Sequence, residues 1–430
     1  MSSTASYSEM RNNKVSIITI GDELLIGQVI DTNSAYMAQQ LGQNGFTVVR
    51  RVAVGDVWKD IWQALDEEQS HADIVLITGG LGPTADDITK PLLCRYFDTT
   101  LVQNAEALKN VTYLFEQVFK KPLTERNIKQ ADVPASCTVF QNKLGTAPGM
   151  CFQRHHKIFI SMPGVPHEMQ GMMEHDAIPY LLKHCQISPI RHRTLITWGI
   201  GESSLADLIQ EFETALPPEI KLAYLPHFGM VRLRLSTANE KFAPIIDKYF
   251  EQLQQLTAEY LVSINDEPVE AMVGKLLLQQ QKTIATAESC TGGLIAHLLS
   301  AVPGASAYLK GAVVSYANEI KQNLLKVSDE SLEQQGAVSE AVVLQMLKGA
   351  LESLQSDYAL AVSGIMGPQG GSAEKPVGTV WIAVGNREVQ QTKRLHFRFD
   401  RKRNTQLTAL NALFLMRAFI ADNKHSFTNP

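Results

Sequence analysis

The chain has 430 residues, more than one hydrophobic core usually supports, so its length predicts two or three domains. Hydrophobic residues make up 45% of it and charged residues 19%, which is ordinary for globular domains and argues against long disordered stretches. The net charge of −5 provides no electrostatic footprint for nucleic acid, so we expect no direct nucleic-acid partner.

Cysteine usage and the distribution of apolar residues indicate the compartment. The five cysteines are scattered and never form a C-x-x-C pair, which fits a reducing environment better than a disulfide framework or a zinc site. The start of the chain, MSSTASYSEMRNNK, lacks the apolar run of a signal peptide. No stretch approaches the roughly 20 apolar residues of a membrane helix. We therefore expect a cytoplasmic protein without a membrane partner.

The first part of the chain alternates between predicted strands and helices. The predicted elements are a strand over 15–21, a helix over 33–45, a strand over 47–54, a helix over 57–70, a strand over 73–80 and a last strand over 157–166. Such alternation is typical of βαβ units, in which helices cover both faces of a mostly parallel sheet. We predict a three-layer α/β domain over 1–173.

The pattern changes after residue 174. A strand, a helix, a hairpin and a second helix predict a small α+β domain over 174–262, interpreted as a spacer and dimerisation element. From 266 to 425 strands and helices alternate again, with antiparallel strands near the end and a final helix to about residue 421. This third domain is predicted to be α/β, and the expected assembly is a homodimer.

The motif AESCTGG (287–293) lies where a predicted strand ends and a helix begins. Backbone N–H groups and the positive end of a helix dipole point at such a junction, and Gly292 and Gly293 let a ligand approach the backbone. An ordinary helix cap formed by Ser289 or Thr291 explains the motif equally well. The motif alone therefore leaves a ligand site and a structural cap as alternatives.

Two further motifs follow strands of the same domain. SYANEIK (315–321) offers Tyr316 and Lys321, which can hold or move a proton, although a packing tyrosine and a surface lysine are the simpler alternatives. SGIMGPQGG (363–371) is a glycine-rich loop suited to a phosphate or ribose. Ligands in α/β folds gather at the carboxyl ends of strands, so three such loops indicate a binding site.

The N-terminal domain carries its own pair of motifs. GDELLIGQVIDTNS (21–34) offers the carboxylates of Asp22, Glu23 and Asp31, which suit a hard cation bound to nucleotide phosphates. TGGLGPTADDIT (78–89) follows a buried strand and opens a helix, a position suited to phosphate. Asp86 and Asp87 also fit the simpler role of complementing the helix dipole.

Taken together, the chain resembles the CinA family (competence/damage-inducible protein A). Its last third is similar to the nicotinamide-nucleotide amidase domain of that family through AESCTGGLIA, SYANEIK, SGIMGP and KPVGTVWIA, in the same order and spacing. The resemblance implies hydrolysis of nicotinamide mononucleotide to nicotinate mononucleotide and ammonia without a cofactor. It makes Ser289 the nucleophile, assisted by Tyr316 and Lys321.

The chemistry of amide hydrolysis fits these roles. A neutral Lys321 would take the proton of Ser289 directly or through Tyr316, and N–H groups after Ser289 would hold the oxyanion. Cys290 is an alternative nucleophile, disfavoured because the family resemblance gives this role to the serine. The residues expected to bind the nucleotide are Thr291, Gly292, Gly293, Ser363, Gly364, Gly367 and Arg401.

Two departures from the family pattern lie in this domain. Met366 stands where the family usually has alanine, and FDRKRN (399–404) replaces a G-D-R-x-x-x-R-like segment. Arg401 is kept, so we expect it to face the phosphate. We expect the two changes to affect the fit of the nucleotide more than the hydrolytic chemistry.

The N-terminal motifs resemble the molybdopterin-binding, MogA-like domain in its CinA version. The resemblance implies an ADP-ribose pyrophosphatase that uses Mg²⁺, Mn²⁺ or Co²⁺ held by Asp86 and Asp87, with a molybdopterin-related binder as the alternative. The residues expected to bind its substrate are Gly21, Asp22, Glu23, Asn33, Thr78, Gly79, Gly80, Gly82, Thr84 and Lys143. A nucleotide-binding regulator linked to competence or DNA damage is a rival function for the whole chain.

Overall fold

The computed structural model describes residues 13–84, 87–185, 187 and 190–421. It divides the chain into two compact units. Unit 1 comprises Met1–Arg191 with Ser236–Ile245, and unit 2 comprises His192–Leu235 with Ile246–Pro430. Among the described residues, no helix combines the length and apolar character needed to cross a membrane.

Unit 1 is built on a six-stranded sheet with the order β2-β1-β3-β8-β7-β6. Its strands are β1 (Lys14–Ile20), β2 (Thr47–Val54), β3 (Ile74–Thr78), β4 (Leu101–Gln103), β5 (Asp132–Pro134), β6 (Thr138–Phe140), β7 (Gly149–Arg154) and β8 (Lys157–Met162). The first four strands of that order are parallel, and β7 and β6 continue the sheet in antiparallel fashion. β4 and β5 form a separate antiparallel pair.

Helices cover both faces of this sheet. They are α1 (Asp22–Leu25), α2 (Thr32–Gln43), α3 (Trp58–His71), α4 (Thr89–Tyr96), α5 (Ala105–Tyr113), α6 (Glu125–Ile128), α7 (Pro166–Met172) and α8 (Ile178–His184). Ile17 of β1 packs in a cluster with α2 and α7, whereas the next residue, Ile18, packs in a cluster with α3 and α4. Alternate side chains of a strand point to opposite faces, so the predicted three-layer α/β fold is confirmed.

The end of unit 1 lies beyond the predicted boundary at residue 173. A π-helical turn, Met173–Ala177, joins α7 to α8, and the helical run therefore continues to His184. Met172, Met173 and Ile178 of this run are buried against the sheet, which keeps it in the core of unit 1. The domain boundary lies beyond residue 173, because the helical run α7 to α8 packs into that core on both sides of this residue.

The first part of unit 2 is the small α+β domain expected from the sequence. Its elements are β9 (Arg191–Trp198), α9 (Glu202–Leu208), α10 (Gln210–Thr214), β10 (Lys221–His227), β11 (Met230–Thr237), α11 (Ile245–Leu256) and β12 (Leu261–Ser263). The strands form one sheet in the order β10-β11-β9-β12. Trp198 stacks on Phe414 with ring centroids 5.2 Å apart, which joins this part to the rest of unit 2.

The remainder of unit 2 is a five-stranded α/β domain with the strand order β14-β13-β15-β16-β17. Its elements are α12 (Val269–Gln280), β13 (Ile284–Glu288), α13 (Leu294–Ser300), β14 (Leu309–Val314), α14 (Asn318–Leu325), α15 (Asp329–Gln335), α16 (Glu340–Ser353), β15 (Tyr358–Gly364), β16 (Thr379–Gly385), β17 (Gln390–His396) and α17 (Arg401–Ala421). β14, β13 and β15 are parallel, and β16 and β17 are antiparallel, as predicted.

The three parallel strands determine where the sequence motifs lie. β14 and β15 flank β13, and the carboxyl ends of all three strands lie at one edge of the sheet. AESCTGG, SYANEIK and SGIMGPQGG each contain or directly follow one of these ends. The fold therefore brings the three motifs to the same edge.

Candidate active site

Ser289 and Lys321 form the centre of the candidate site. Ser289 directly follows β13, Lys321 lies in α14, and Lys321 Nζ is 3.1 Å from Ser289 Oγ. Only 1% of Lys321 is exposed, and in the described part of the chain no carboxylate pairs with it. Burial lowers the pKa of Lys321, an effect that Cys290 partly opposes. The neutral amine needed for a general base is therefore favoured.

Two backbone carbonyls orient the Lys321 amine. Lys321 Nζ donates to the carbonyl oxygen of Ser315 over 2.6 Å and lies 3.4 Å from that of Tyr316. A neutral amine has two N–H groups and one lone pair, so donation to both carbonyls leaves the lone pair for Ser289 Oγ. This arrangement favours direct proton transfer from Ser289 to Lys321 over transfer through Tyr316.

The start of α13 does not face a ligand as the motif suggested. The Glu288 carboxylate accepts hydrogen bonds from the N–H groups of Gly293, Ile295 and Ala296. The hydroxyl of Thr291 also donates to Glu288, so neither Thr291 nor Ser289 caps the helix. Thr291, expected to bind the nucleotide, is a support for this turn because its hydroxyl is used internally.

Tyr316 meets Arg401 on the exposed side of the site. Arg401 Nη2 donates to Tyr316 Oη over 2.7 Å, and Arg401 Nη1 donates to the Gly367 carbonyl over 2.9 Å. Tyr316 is 62% exposed, and its hydroxyl proton remains available because its oxygen is the acceptor in this bond. Arg401 thus links the SYANEIK and SGIMGPQGG loops to the first turn of α17.

Several residues expected to touch the nucleotide instead support the glycine-rich loop. The Ser363 hydroxyl donates to the Ala337 carbonyl over 2.7 Å, and a Cβ on Gly364 would lie 2.8 Å from Val380. Met366 is buried in the hydrophobic core of unit 2. Its replacement of alanine therefore alters core packing, which corrects the expectation that it changes the ligand surface.

Asn404 is a residue of this loop that sequence reasoning missed. Asn404 is fully buried, and its Nδ2 donates to the carbonyls of Met366 and Phe399. It therefore ties the glycine-rich loop to the start of α17, where Arg401 lies. The only sequence feature that pointed to Asn404 was its position within FDRKRN, the segment that departs from the family pattern.

Cys290 is buried beside Ser289. Burial raises the pKa of the Cys290 thiol to about 12, so the nucleophilic thiolate is scarce near neutral pH. The serine is the better placed nucleophile, because its hydroxyl contacts a potential base.

The N-terminal motifs meet at the carboxyl ends of β1, β3 and β8. Asn33 Nδ2 donates to the Gly164 carbonyl over 2.7 Å and lies 3.4 Å from Thr78 Oγ1. Asn33 Oδ1 is buried and, within the described part of the chain, lacks a hydrogen-bond partner. A buried acceptor without a donor is costly, which marks this edge as a candidate ligand site.

The glycines and acidic residues around that edge shape its loops. Gly79 has φ +112°, and a Cβ there would lie 2.2 Å from the Ile20 carbonyl oxygen, so only glycine fits. Asp22 exchanges hydrogen bonds with Asp56, each backbone N–H donating to the other carboxylate over 3.2 Å. Cβ atoms on Gly21, Gly80 and Gly82 would meet the side chains of Glu23, Thr89 and Asp87, respectively. Lys143 is exposed. Its positive charge partly opposes the rise that burial causes in the pKa of the Asp176 carboxyl.

Asp87 organises the TGGLGPTADDIT loop. Its carboxylate accepts hydrogen bonds from the N–H groups of Gly82 and Thr84, each over 2.8 Å, and from the Thr84 hydroxyl. Asp86, the other expected metal ligand, lies outside the described residues. No group of three or more metal-ligating side chains occurs among the residues that the structure describes. Asp87 and the other described residues do not form a metal site by themselves.

Three family models match the chain. They are the CinA C-terminal domain over 266–420, the "Probable molybdopterin binding domain" over 16–183 and the damage-inducible protein CinA KH domain over 192–262. The models over 266–420 and 16–183 match the resemblance to the CinA family seen in the sequence. The KH relationship was missed, because the strand and helix pattern predicted only a small α+β fold.

Relatives that match this chain over most of their length are named as CinA-like proteins. A "CinA-like protein" of Flavobacterium psychrophilum is 44% identical over 375 residues, covering 86% of this chain and 90% of the relative. Another "CinA-like protein", from Cytophaga hutchinsonii, is 42% identical over 411 residues, covering 95% of this chain and 98% of the relative. The chain belongs to the CinA family.

A solved structure is similar to part of the chain. The competence damage-inducible protein A of Klebsiella pneumoniae is 37% identical, with a TM-score of 0.36. The match covers 36% of this chain and 97% of that one.

Proposed function

We propose that the C-terminal part of the chain hydrolyses the carboxamide of nicotinamide mononucleotide, releasing nicotinate mononucleotide and ammonia. The observation that carries this proposal is the buried Lys321 amine, 3.1 Å from Ser289 Oγ and without a carboxylate partner among the described residues. A serine next to a lysine of lowered pKa is a recurring arrangement of amide-cleaving enzymes. The choice of nicotinamide mononucleotide as the substrate comes from the family resemblance of the three loops.

The chemistry proceeds in two halves. Ser289 Oγ attacks the carboxamide carbon while its proton passes to Lys321 Nζ, and the C–N bond then breaks as that proton reaches the departing nitrogen. Ammonia leaves, and an ester joins Ser289 to the nicotinate group. Water attacks this ester, giving its proton to Lys321, which returns it to Ser289 Oγ. The net reaction consumes one water and needs no cofactor.

Neighbouring groups would stabilise the charges of this reaction. The N–H groups of Cys290 and Thr291 follow the nucleophile directly, and in the described part of the chain neither donates to Glu288. They are our candidates for the oxyanion hole. Arg401, held by Tyr316 and Gly367, is the candidate for the phosphate of the nucleotide.

For unit 1 we propose a second, metal-dependent activity, the hydrolysis of ADP-ribose by one water to AMP and ribose 5-phosphate. The unpartnered Asn33 Oδ1 and the loop ordered by Asp87 support a nucleotide site at this edge. Because the described residues lack a complete ligand set, a divalent cation would need ligands from the substrate phosphates. A molybdopterin-related binder would use the same edge without cleavage, and AMP release from ADP-ribose separates the two.

A nucleotide-binding regulator linked to competence or DNA damage is the rival function, and the match to a KH domain suggests a contact with nucleic acid for it. KH modules grip the nucleic-acid backbone, yet residues 192–262 contain six Lys and Arg against nine Asp and Glu. An excess of acidic residues gives this module no net attraction for the phosphates of nucleic acid. We therefore favour a structural role for this module in unit 2.

The test is to incubate the purified protein with nicotinamide mononucleotide and to measure ammonia and nicotinate mononucleotide. We expect both products in equal amounts, and we expect ammonia release to continue after treatment with EDTA. Binding of the nucleotide without release of ammonia would overturn the proposal and favour the rival function.

A further inference from the structure

Glu288 is a fully buried carboxylate directly before the proposed nucleophile. Its Oε2 accepts hydrogen bonds from Thr291 Oγ1 over 2.7 Å, from Gly293 N over 3.1 Å and from Ile295 N over 3.0 Å. Its Oε1 accepts from Ala296 N over 2.8 Å and from Thr286 Oγ1 over 3.2 Å. Five donors saturate a group with about four lone-pair positions, so no acceptor capacity remains for a substrate.

These bonds determine the path of the turn after β13. The turn 289–293 folds over the carboxylate, with Gly292 at φ +62° and Gly293 at φ +98°. Such left-handed conformations favour glycine, so the GG pair of the motif is explained by the turn. Ser289 N donates to the Val362 carbonyl over 3.1 Å, which fixes the other end of this turn.

The backbone of Glu288 also leads to Lys321. The Glu288 carbonyl accepts from Ser315 N over 2.8 Å, and the Ser315 carbonyl accepts from Lys321 Nζ over 2.6 Å. The side chain of Glu288 thus holds the turn that carries Ser289. Its main-chain carbonyl contacts Ser315, the residue whose own carbonyl holds Lys321. Residue 288 therefore contacts the supports of both partners of the 3.1 Å contact between Ser289 and Lys321, and only the support of Ser289 involves its side chain.

We propose that Glu288 is a positioning residue that directs Ser289 Oγ at Lys321. The inference rests on the proposed amidase function but adds a residue that touches neither substrate nor base through its side chain. A helix cap with a purely structural role would make the same N–H bonds, but its loss would reduce stability without changing the reactivity of Ser289.

Glu288→Gln is the main variant. Its amide nitrogen would face N–H donors in place of an acceptor oxygen, so we expect the turn to shift without loss of side-chain volume. A displacement of about 1 Å can lower a rate about 100-fold, and we expect kcat to fall by about that factor with little change in KM. Thr291→Val removes one donor only, so we expect it to remain folded and to lose about tenfold in kcat.

A readout independent of the substrate separates this inference from the proposed function. Labelling of Ser289 by a fluorophosphonate, followed by mass spectrometry, measures the reactivity of its hydroxyl directly. We expect labelling to slow in Glu288→Gln and Thr291→Val in proportion to kcat. Absence of ammonia release by the wild type, with intact labelling, would overturn the amidase and leave the positioning role testable.

Ser328→Ala is the matched control. Ser328 caps α15 in the same unit through a hydrogen bond from Ser331 N, so the variant loses a helix cap away from Ser289. We expect it to lower the thermal midpoint while kcat and labelling stay at the wild-type level. Wild-type labelling and kcat in both Glu288→Gln and Thr291→Val, or in Thr291→Val alone if Glu288→Gln does not fold, would overturn the inference.

Discussion

Arg401 Nη2 donates a hydrogen bond to Tyr316 Oη over 2.7 Å, although the two residues are 85 positions apart in the chain. The same guanidinium donates to the Gly367 carbonyl, so one side chain connects the SYANEIK and SGIMGPQGG loops of the proposed amidase site. A cation in this position can bind a phosphate and keep Tyr316 in place at the same time.

Removal of the Arg401 side chain is expected to weaken nucleotide binding. A hydrogen bond to a charged group contributes about 1.5–3 kcal/mol, so Arg401→Ala should raise KM for nicotinamide mononucleotide about 10- to 100-fold. Lys402→Ala is the control, because Lys402 is the next residue of the same helix and does not contact Tyr316 or Gly367. Steady-state kinetics measure the effect, and equal KM values for both variants would contradict the role of Arg401.

The pH dependence of the amidase should report Lys321. Burial lowers the pKa of Lys321 from its ordinary value of 10.5, and only the neutral amine accepts a proton. We therefore expect kcat/KM to rise with pH through this lowered pKa. Lys321→Arg retains a cation that stays protonated, and it should lose that rise and at least about 100-fold in kcat. A pH profile of the variant that matches the wild type would exclude Lys321 as the base.

Lys90 should make the stability of unit 1 depend on pH. Its Nζ donates to the carbonyls of Gln130 and Asp132, and burial lowers its pKa to about 8, partly opposed by Asp132. Between pH 8 and 10.5 the unfolded chain binds more protons than the folded one, so the free energy of unfolding rises with pH. The rise in the free energy of unfolding over this pH range is on the order of 3 kcal/mol.

Lys90→Met isolates this contribution. Urea unfolding of the wild type and the variant, below pH 8 and at pH 10.5, gives the comparison. We expect the wild type to gain stability relative to the variant as pH rises. A stability difference that is the same at both pH values would show that Lys90 keeps its ordinary pKa in the folded state.

Asp87 should support both the loop and the proposed activity of unit 1. Loss of a carboxylate that accepts backbone hydrogen bonds costs about 1–3 kcal/mol, so Asp87→Ala should destabilise unit 1 by that amount and abolish AMP release from ADP-ribose. EDTA should stop AMP release in the wild type and leave ammonia release unchanged. AMP release by Asp87→Ala at the wild-type rate would remove Asp87 from the proposal.

The sequence predicted the features that depend on periodicity and on strand order. AESCTGG and SYANEIK each adjoin the end of a parallel strand, and such ends share one edge, so the proximity of the two motifs was expected. The pairing of Ser289 with Lys321 came from the family resemblance. The burial of Met366 was not expected from the sequence. A glycine-rich loop has no periodic pattern that would predict the direction of a single side chain.

The role of Glu288 depends on tertiary geometry. A glutamate at the end of a strand is ordinarily exposed, and its burial results from a turn whose path only the left-handed Gly292 and Gly293 allow. The partnership of Arg401 with Tyr316 joins α17 to a loop far away in the chain. Neither local propensity nor motif spacing contains that information.

The most direct test of the account is ammonia release by Ser289→Ala, measured with nicotinamide mononucleotide beside the wild type and Cys290→Ala. We predict that Ser289→Ala releases no ammonia above background, while Cys290→Ala, which alters the buried thiol, keeps most of the wild-type activity. Wild-type ammonia release by Ser289→Ala, with loss of release in Cys290→Ala, would contradict the assignment of Ser289 as the nucleophile.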